Sequence, residues 1–287
     1  MANGILIIDK PRGWTSMDVC AKLRGVFREK RVGHAGTLDP MATGVLPVFL
    51  GRATRAVEFA AQGDKEYRAV LRLGLVTDTQ DTTGAVLEER PVSVTPEELE
   101  AVLARFRGEI FQVPPMYSAL KVEGKKLCEL ARKGREVARA PRPVTIHALE
   151  LGERLSDTDF RLRVECSKGT YIRTLCHDIG QALGCGGAMA ELRRTKAAGY
   201  TIDRAVTLEQ VESAADPAIF LAPVDSLFAP LPALTLTAAQ AKCVRNGGSF
   251  TFPRPGEWRA YGPDGAFLAV CRTVDGRLTT VKSFFEV

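Results

Sequence analysis

The chain has 287 residues, 45% of them apolar and 25% charged, with 39 basic against 34 acidic side chains and a formal charge of +5. That length suits one large domain or one large and one small, and the composition excludes a disordered or fibrous chain. No apolar run is long enough to cross a bilayer as a helix, and seven cysteines without a CxxC spacing or a signal peptide are expected to be reduced cytoplasmic thiols.

Gly4 to Ile8 reads as a short strand, followed by a turn at Asp9-Lys10-Pro11-Arg12-Gly13. Thr15 or Ser16 can cap a helix whose apolar residues Val19, Leu23, Val26 and Phe27 share one face. A glycine-rich loop from Gly33 to Gly44 leads into an apolar strand, Val45 to Leu50, and Tyr67 to Leu75 is a second strand with partial alternation. Thr95-Pro96-Glu97-Glu98 combines a capping threonine, a proline at the first helical position and a glutamate that closes a capping box; Gly108 is expected to end that helix. Phe160, Leu162, Val164 and Cys166 alternate with Arg161, Arg163 and Glu165, the pattern of a half-buried strand. Tyr171 to Leu183 reads as a helix stopped by Gly184. Helices and strands mix without a regular βαβ beat, so the expected class is α+β with a mixed, largely antiparallel sheet.

Phe228-Ala229-Pro230-Leu231-Pro232 marks a boundary, dividing residues 1–229 from a small β-rich unit at 230–287. In that unit Ala238 to Arg245 reads as a helix, and Phe267 to Arg272 and Leu278 to Phe284 as strands.

The basic excess is not spread evenly. Between Lys121 and Arg142 lie eight basic residues (Lys121, Lys125, Lys126, Arg132, Lys133, Arg135, Arg139, Arg142) against three acidic ones, a surplus equal to that of the whole chain. A phosphate backbone is a natural partner for such a segment; on charge alone, a solvated helix face with intrahelical pairs accounts for it equally well. Cys166, Cys176, His177 and Cys185 cluster loosely, but their spacings match neither a zinc knuckle nor a ribbon.

Three local constellations could carry chemistry. In the loop Gly33 to Gly44, glycines allow tight turns and Pro40 restricts Asp39 to an extended backbone, so one carboxylate would project from a fixed frame. The loop lacks the Gly-Lys-Ser/Thr ending of a P-loop and the glycine spacing of a dinucleotide fingerprint. Taken alone, an Asp-Pro pair is more often a plain loop satisfying its own amides. Cys166 to Leu175 spans a strand-to-helix junction with Tyr171 and Arg173 two residues apart, and Lys65-Glu66-Tyr67-Arg68 opens a strand. Each is ordinary in isolation.

Their combination is not. Gly33 to Pro47, reading Gly-His-Ala-Gly-Thr-Leu-Asp-Pro-Met-Ala-Thr-Gly-Val-Leu-Pro, resembles the signature of the bacterial tRNA pseudouridine-55 synthase family. Asp9-Lys10-Pro11, Tyr67, Gly74 to Gly84, Pro114 to Lys121 and Ser167 to Arg173 match further motifs of that family in the same order. The resemblance implies a pseudouridine synthase core followed by a PUA-like RNA-binding domain at 230–287. It implies Asp39 as the essential carboxylate, acting on ribose or base or through charge and proton transfer, with Arg173 pairing with it and holding it ionised, and Tyr67 stacking on a flipped uracil. Substrate contacts are implied for His34, Tyr171, Lys10, Lys121 and Leu192, with Lys10 supporting the loop or the backbone. The implied partner is the T-arm stem-loop of tRNA, gripped by the segment from Lys121 to Arg142. No metal or small-molecule cofactor is expected, nor a membrane; the chain is expected to act as a cytoplasmic monomer. Two departures from the family lie where it approaches RNA: Cys128 stands in place of a tyrosine, and Gly187-Ala188 in place of Ala-His. A synthase acting on another RNA, an RNA-binding or tRNA-folding module without catalysis, and a base-excising glycosylase are the alternatives.

Overall fold

Among the described residues the strands assemble into one nine-stranded sheet, one five-stranded sheet and two small two-stranded ones. The structure is a computed structural model describing residues 2–118, 120–122 and 124–285; the side chains of Lys121 and Lys126 also lie outside the described set. In chain order the first half runs β1 (Gly4–Lys10), α1 (Ser16–Phe27), β2 (Val32–His34), β3 (Thr43–Leu50), α2 (Val57–Gln62), β4 (Lys65–Leu73), β5 (Leu75–Thr77), β6 (Val86–Glu89), α3 (Pro96–Ala104), β7 (Gly108–Gln112), β8 (Lys121–Val122), β9 (Lys125–Lys126) and α4 (Leu127–Ala131). Then follow β10 (Arg142–Arg154), β11 (Asp159–Cys166), α5 (Ile172–Ala182), β12 (Gly187–Ala197), β13 (Tyr200–Thr201), α6 (Leu208–Ser213), β14 (Ala233–Thr235), α7 (Ala238–Arg245), β15 (Phe250–Thr251), β16 (Gly256–Tyr261), β17 (Phe267–Val274) and β18 (Arg277–Ser283).

Among the described residues the main sheet has nine strands, in the order β1-β3-β12-β4-β11-β10-β7, with β2 beside β3 and β13 beside β12. All its pairings are antiparallel except β3 with β12, which is parallel and limited to two residue pairs, Thr43 with Arg193 and Gly44 with Arg194. The class is α+β, as the pattern of elements implied. The capping boxes at Thr15 and Thr95 are both formed, each contributing about 1 kcal/mol.

Three expectations need correction. The helix opened by Thr95 ends at Ala104, and Gly108, at φ +84°, begins β7 instead. The loop after Gly33 is shorter than read, because Val32–His34 pairs with Val48–Leu50. The basic segment is not a helix face: only Leu127–Ala131 is helical, and Arg132, Lys133 and Arg135 beyond it are exposed. The central strand β12 and the long strand β10 gave no clean alternation in sequence. Register shifts interrupt them, at Met189/Glu191 and Arg194/Lys196 in β12 and at Ile146/Ala148 and Leu151/Arg154 in β10. Each bulge moves the following side chains to the other face, which erases a period of two.

One face of β4 and β11 sends Tyr67, Ala69, Leu71, Phe160, Leu162 and Val164 into a core shared with α3 and α5. The opposite face carries Arg72, Arg163, Glu66 and Asp159, cross-linked by ion pairs of 2.6 and 2.7 Å. Helices α1 and α6 cover β1 and β3. The five-stranded sheet β14-β16-β17-β18-β15 has its own apolar core around Trp258 and Leu268. It meets the rest through an aromatic cluster, with Phe228 5.3 Å from Phe59 and 5.7 Å from Phe284, ring centre to ring centre.

The short parallel junction of β3 and β12 depends on Gly44. Its φ is +101°, and an added Cβ would overlap the carbonyl oxygen of Arg194 and lie 2.8 Å from the Arg194 nitrogen. Gly44→Ala should therefore cost about 2–4 kcal/mol in strain and overpacking; a denaturant midpoint equal to that of the unaltered protein would contradict this packing.

Candidate active site

The loop at 35–42 is short, yet contacts along its length tie it to the structure around it. Ser16, in the first turn of α1, accepts the amide N–H of Leu38 at 2.9 Å and donates to its carbonyl at 3.2 Å. The Pro40 carbonyl accepts from Gly13 N–H at 2.7 Å and from the Lys10 ammonium at 3.3 Å. Lys10 also donates to the carbonyls of Trp14 at 2.6 Å and Pro11 at 3.0 Å. Arg194 of β12 reaches over from the other side, donating from Nη2 to Gly36 O at 3.0 Å and from Nε to Val45 O at 2.7 Å. Gly36, at φ +85°, leaves room for that guanidinium, since a Cβ would stand 3.2 Å from Nη1. Asp39 therefore projects from a backbone fixed on both sides, with 34% of its side chain exposed.

Asp39 meets Arg173, two residues into α5. Nε of Arg173 lies 3.0 Å from Oδ2 of Asp39, and Nη2 donates to Oδ1 at 3.4 Å. The remaining donors of this buried guanidinium are also used: Nη1 donates to Thr79 O at 3.1 Å and Nη2 to Tyr117 O at 2.7 Å. Asp81 stands 3.7 Å from Nη1 and is itself held by the hydroxyls of Thr79 and Thr83 and the amide of Thr83. Burial pushes the Asp39 carboxyl above the ordinary carboxylate range; Arg173 is the largest opposing influence, and the nearby Asp81 adds to the upward shift. Arg173 thus pairs with Asp39 as expected, but the balance for Asp39 runs upward, because desolvation outweighs the cation.

Beside this pair lies an apolar wall. Tyr67 and Leu192 are buried in the same cluster as Leu38 and Ile172, and burial raises the Tyr67 phenol above its usual pKa. Tyr67 stands opposite Arg194 across β4 and β12, and Leu192 opposite Ala69. Tyr171 is half-buried at the start of α5. His34 ends β2; burial, and then the Arg194 charge, lower its pKa, so the ring is neutral at neutral pH. The Lys121 side chain lies outside the described residues.

Lys10 requires a correction. As a substrate contact it would need an exposed ammonium, but the side chain is 0% exposed and its donors go to three backbone carbonyls. It acts on the loop. Sequence reasoning also missed Asp81, Gln112 and Arg194. Asp81 sits inside the Gly74 to Gly84 motif, which offered a signal; Arg194 and Gln112 became visible only once distant strands were brought together.

Among the described residues no group of three or more His, Cys, Asp and Glu side chains is placed to hold a metal ion. Cys166, Cys176 and Cys185 lie in the apolar core, where burial pushes the first two thiols up to about 11 and about 12.

Residues 24–172 match the model of the N-terminal domain of the TruB family pseudouridylate synthases. Residues 173–229 match the tRNA pseudouridylate synthase B C-terminal domain, and residues 231–285 the C-terminal model of tRNA pseudouridine synthase II. The chain belongs to the TruB family of pseudouridylate synthases. It is 48% identical over 276 residues to the tRNA pseudouridine synthase B of Ralstonia pickettii, covering 93% of this chain and 87% of the relative. The corresponding protein of Pseudomonas fluorescens is 45% identical over 286 residues, with 96% and 93% covered. In structure, the chain is similar to one in the crystal structure of a Cbf5-Nop10-Gar1 complex, with a TM-score of 0.77 and 26% identity over 99% of this chain and 85% of that one. It is also similar in fold to a chain in an H/ACA RNP bound to a substrate RNA containing 2'-deoxyuridine, at a TM-score of 0.76 and 24% identity.

Two titrations should frame the activity of this site. With Asp39 in the role proposed below it acts as a carboxylate, and burial raises its pKa, so the rate should fall with decreasing pH earlier than for an exposed aspartate. Burial also lowers Lys10 to about 8; above that pH the ammonium loses its charge, its bonds to the loop carbonyls weaken, and the rate should fall again. A single-turnover rate that stays level through both limbs would contradict this arrangement.

Proposed function

We propose that the chain isomerises uridine to pseudouridine in tRNA, at position 55 of the T-loop, with Asp39 as the essential group. The observation that carries this reading is the Asp39–Arg173 ion pair, its aspartate on a loop braced from both sides, with the adjoining Leu38 and Ile172 in one apolar cluster with Tyr67 and Leu192. Its tRNA substrate is supported by the names of its curated relatives.

The reaction breaks the C1′–N1 bond of uridine, turns the base, and forms C1′–C5; the C5 proton leaves and N1 gains one, so composition is unchanged. Neither water nor a redox equivalent enters the balance. The uridine must first leave its stack, at a cost of a few kcal/mol offset by binding contacts. Asp39 then acts on the ribose or on the base, with Arg173 opposing its protonation. Tyr67 and Leu192 wall the base, Tyr67 lying near the proton to be lost from C5. Tyr171 packs beside the base, and His34, neutral, contacts the RNA where the nucleotide has been withdrawn.

The exposed cations Arg132, Lys133 and Arg135 suit a phosphate backbone read by shape rather than sequence. Residues 230–287 are proposed to form a PUA-like RNA-binding domain, and the protein to act as a cytoplasmic monomer on the T-arm.

The test uses tRNA transcripts tritiated at C5 of uracil, from which isomerisation releases tritium. The unaltered protein should release it, and Asp39→Ala should not. Arg173→Lys should lose roughly 10²-fold in single-turnover rate, because a point charge cannot reproduce a guanidinium that bridges a carboxylate and two carbonyls. Release by Asp39→Ala at the unaltered rate would remove Asp39 from its role, and release of free uracil would replace isomerisation by base excision.

A further inference from the structure

Gln112 is the last residue of β7, an edge strand of the main sheet, and it is 1% exposed. Its side-chain amide does not serve its own strand. Oε1 accepts the backbone N–H of Tyr171 at 3.0 Å, and Nε2 donates to the backbone carbonyl of Tyr171 at 3.2 Å. One side chain thus satisfies both polar groups of a residue 59 positions away.

That residue is the N-cap of α5. Tyr171 is extended, at φ −103° and ψ 110°, and its own side chain makes no capping bond. Four helices among the described residues start on a threonine whose hydroxyl closes a capping box, at Thr15, Thr95, Thr207 and Thr237. The entry into α5 is held from outside instead. Arg173 follows two residues later, so whatever fixes the backbone of Tyr171 fixes where the guanidinium root sits. The same stretch of chain touches Arg173 again at its far end, where Tyr117 O accepts from Nη2 at 2.7 Å. Residues 112 and 117 therefore bracket the arginine, one at its backbone entry and one at its tip.

We propose that Gln112 is a positioning residue: by clamping both backbone groups of Tyr171 it sets the geometry of Arg173 against Asp39, and the ring of Tyr171 beside the base. A buried glutamine bonded to backbone is often only a satisfied polar group. The difference lies in its location, since a misplacement of about 1 Å at a reacting centre can lower a rate on the order of 10²-fold. The inference rests on the proposed roles of Asp39 and Arg173.

Two variants separate positioning from packing. Gln112→Met keeps length and shape but neither polar atom. Gln112→Glu keeps the acceptor for Tyr171 N–H and loses the donor to Tyr171 O, until the introduced carboxyl is protonated and regains it. Single-turnover tritium release, tRNA affinity by filter binding, and folding by circular dichroism are measured for each. Folded Gln112→Met should lose roughly 10- to 100-fold in rate with tRNA affinity at the unaltered value. The rate of Gln112→Glu, taken as a ratio to the unaltered protein at each pH, should climb as pH falls. A Gln112→Met protein as fast as the unaltered one, or a Gln112→Glu ratio that does not change with pH, overturns the inference. A silent unaltered protein overturns the proposed function and this inference together, whereas an active one beside an equally active Gln112→Met overturns the inference alone.

Discussion

A buried guanidinium must have its charge and its donors met, and much of the site's architecture follows from meeting those of Arg173. Leaving such a group dry and unpaired would cost several kcal/mol. Four segments remote in sequence converge to prevent that: the loop of Asp39, the turn carrying Thr79 and Asp81, the strand exit at Tyr117, and α5 itself. Two carboxylates and two carbonyls surround one cation, and the bonds to both carbonyls leave it little freedom to swing away. Position at this site is thus obtained as a by-product of solvating a charge.

The loop bearing Asp39 is held by the same kind of economy. Lys10 and Arg194 are buried cations whose partners are carbonyl oxygens of that loop and its flanks. Carbonyls satisfy donors without adding negative charge, so these cations fix the backbone and still leave a positive field around it. That field is visible at its neighbours: Arg194 contributes to lowering His34, Lys65 and Lys10. Gly36 and Gly44 belong to this arrangement, one making room for the guanidinium of Arg194 and the other for its backbone.

How much of this could be read in the sequence divides along a physical line. Asp39 and Arg173 each sit in a contiguous motif, and their neighbours in sequence also shape their local backbone, so motif and geometry coincide. The first helix and the helix after Thr95 were legible through their caps, which are local interactions. Gln112 and Arg194 were not, because what each does is defined by partners 59 residues away for the first and 149 and 158 residues away for the second. The carbonyls of Thr79 and Tyr117 carry no side-chain signature at all. Lys10 was legible as a member of the site but not as to its side: only burial distinguishes an ammonium that grips a loop from one that grips a phosphate. The bulged strands β10 and β12 escaped for a different reason, since a bulge removes the alternation by which strands are recognised.

Burial and the ion pair act on Asp39 in opposite directions, and burial prevails. Arg173 divides its donors among Asp39, Thr79 O and Tyr117 O, with Asp81 close by, so only part of its attraction falls on Asp39. Asp81 then repels the charge that Arg173 invites. The carboxylate is therefore less stabilised than a carboxylate with an arginine to itself. In the role proposed for Asp39, giving up part of its charge to carbon or to a proton, that is the useful condition: an over-stabilised carboxylate would be a poor nucleophile and a poor base. Asp81, 3.7 Å from Nη1 of Arg173, thus limits how far that cation offsets the burial of Asp39.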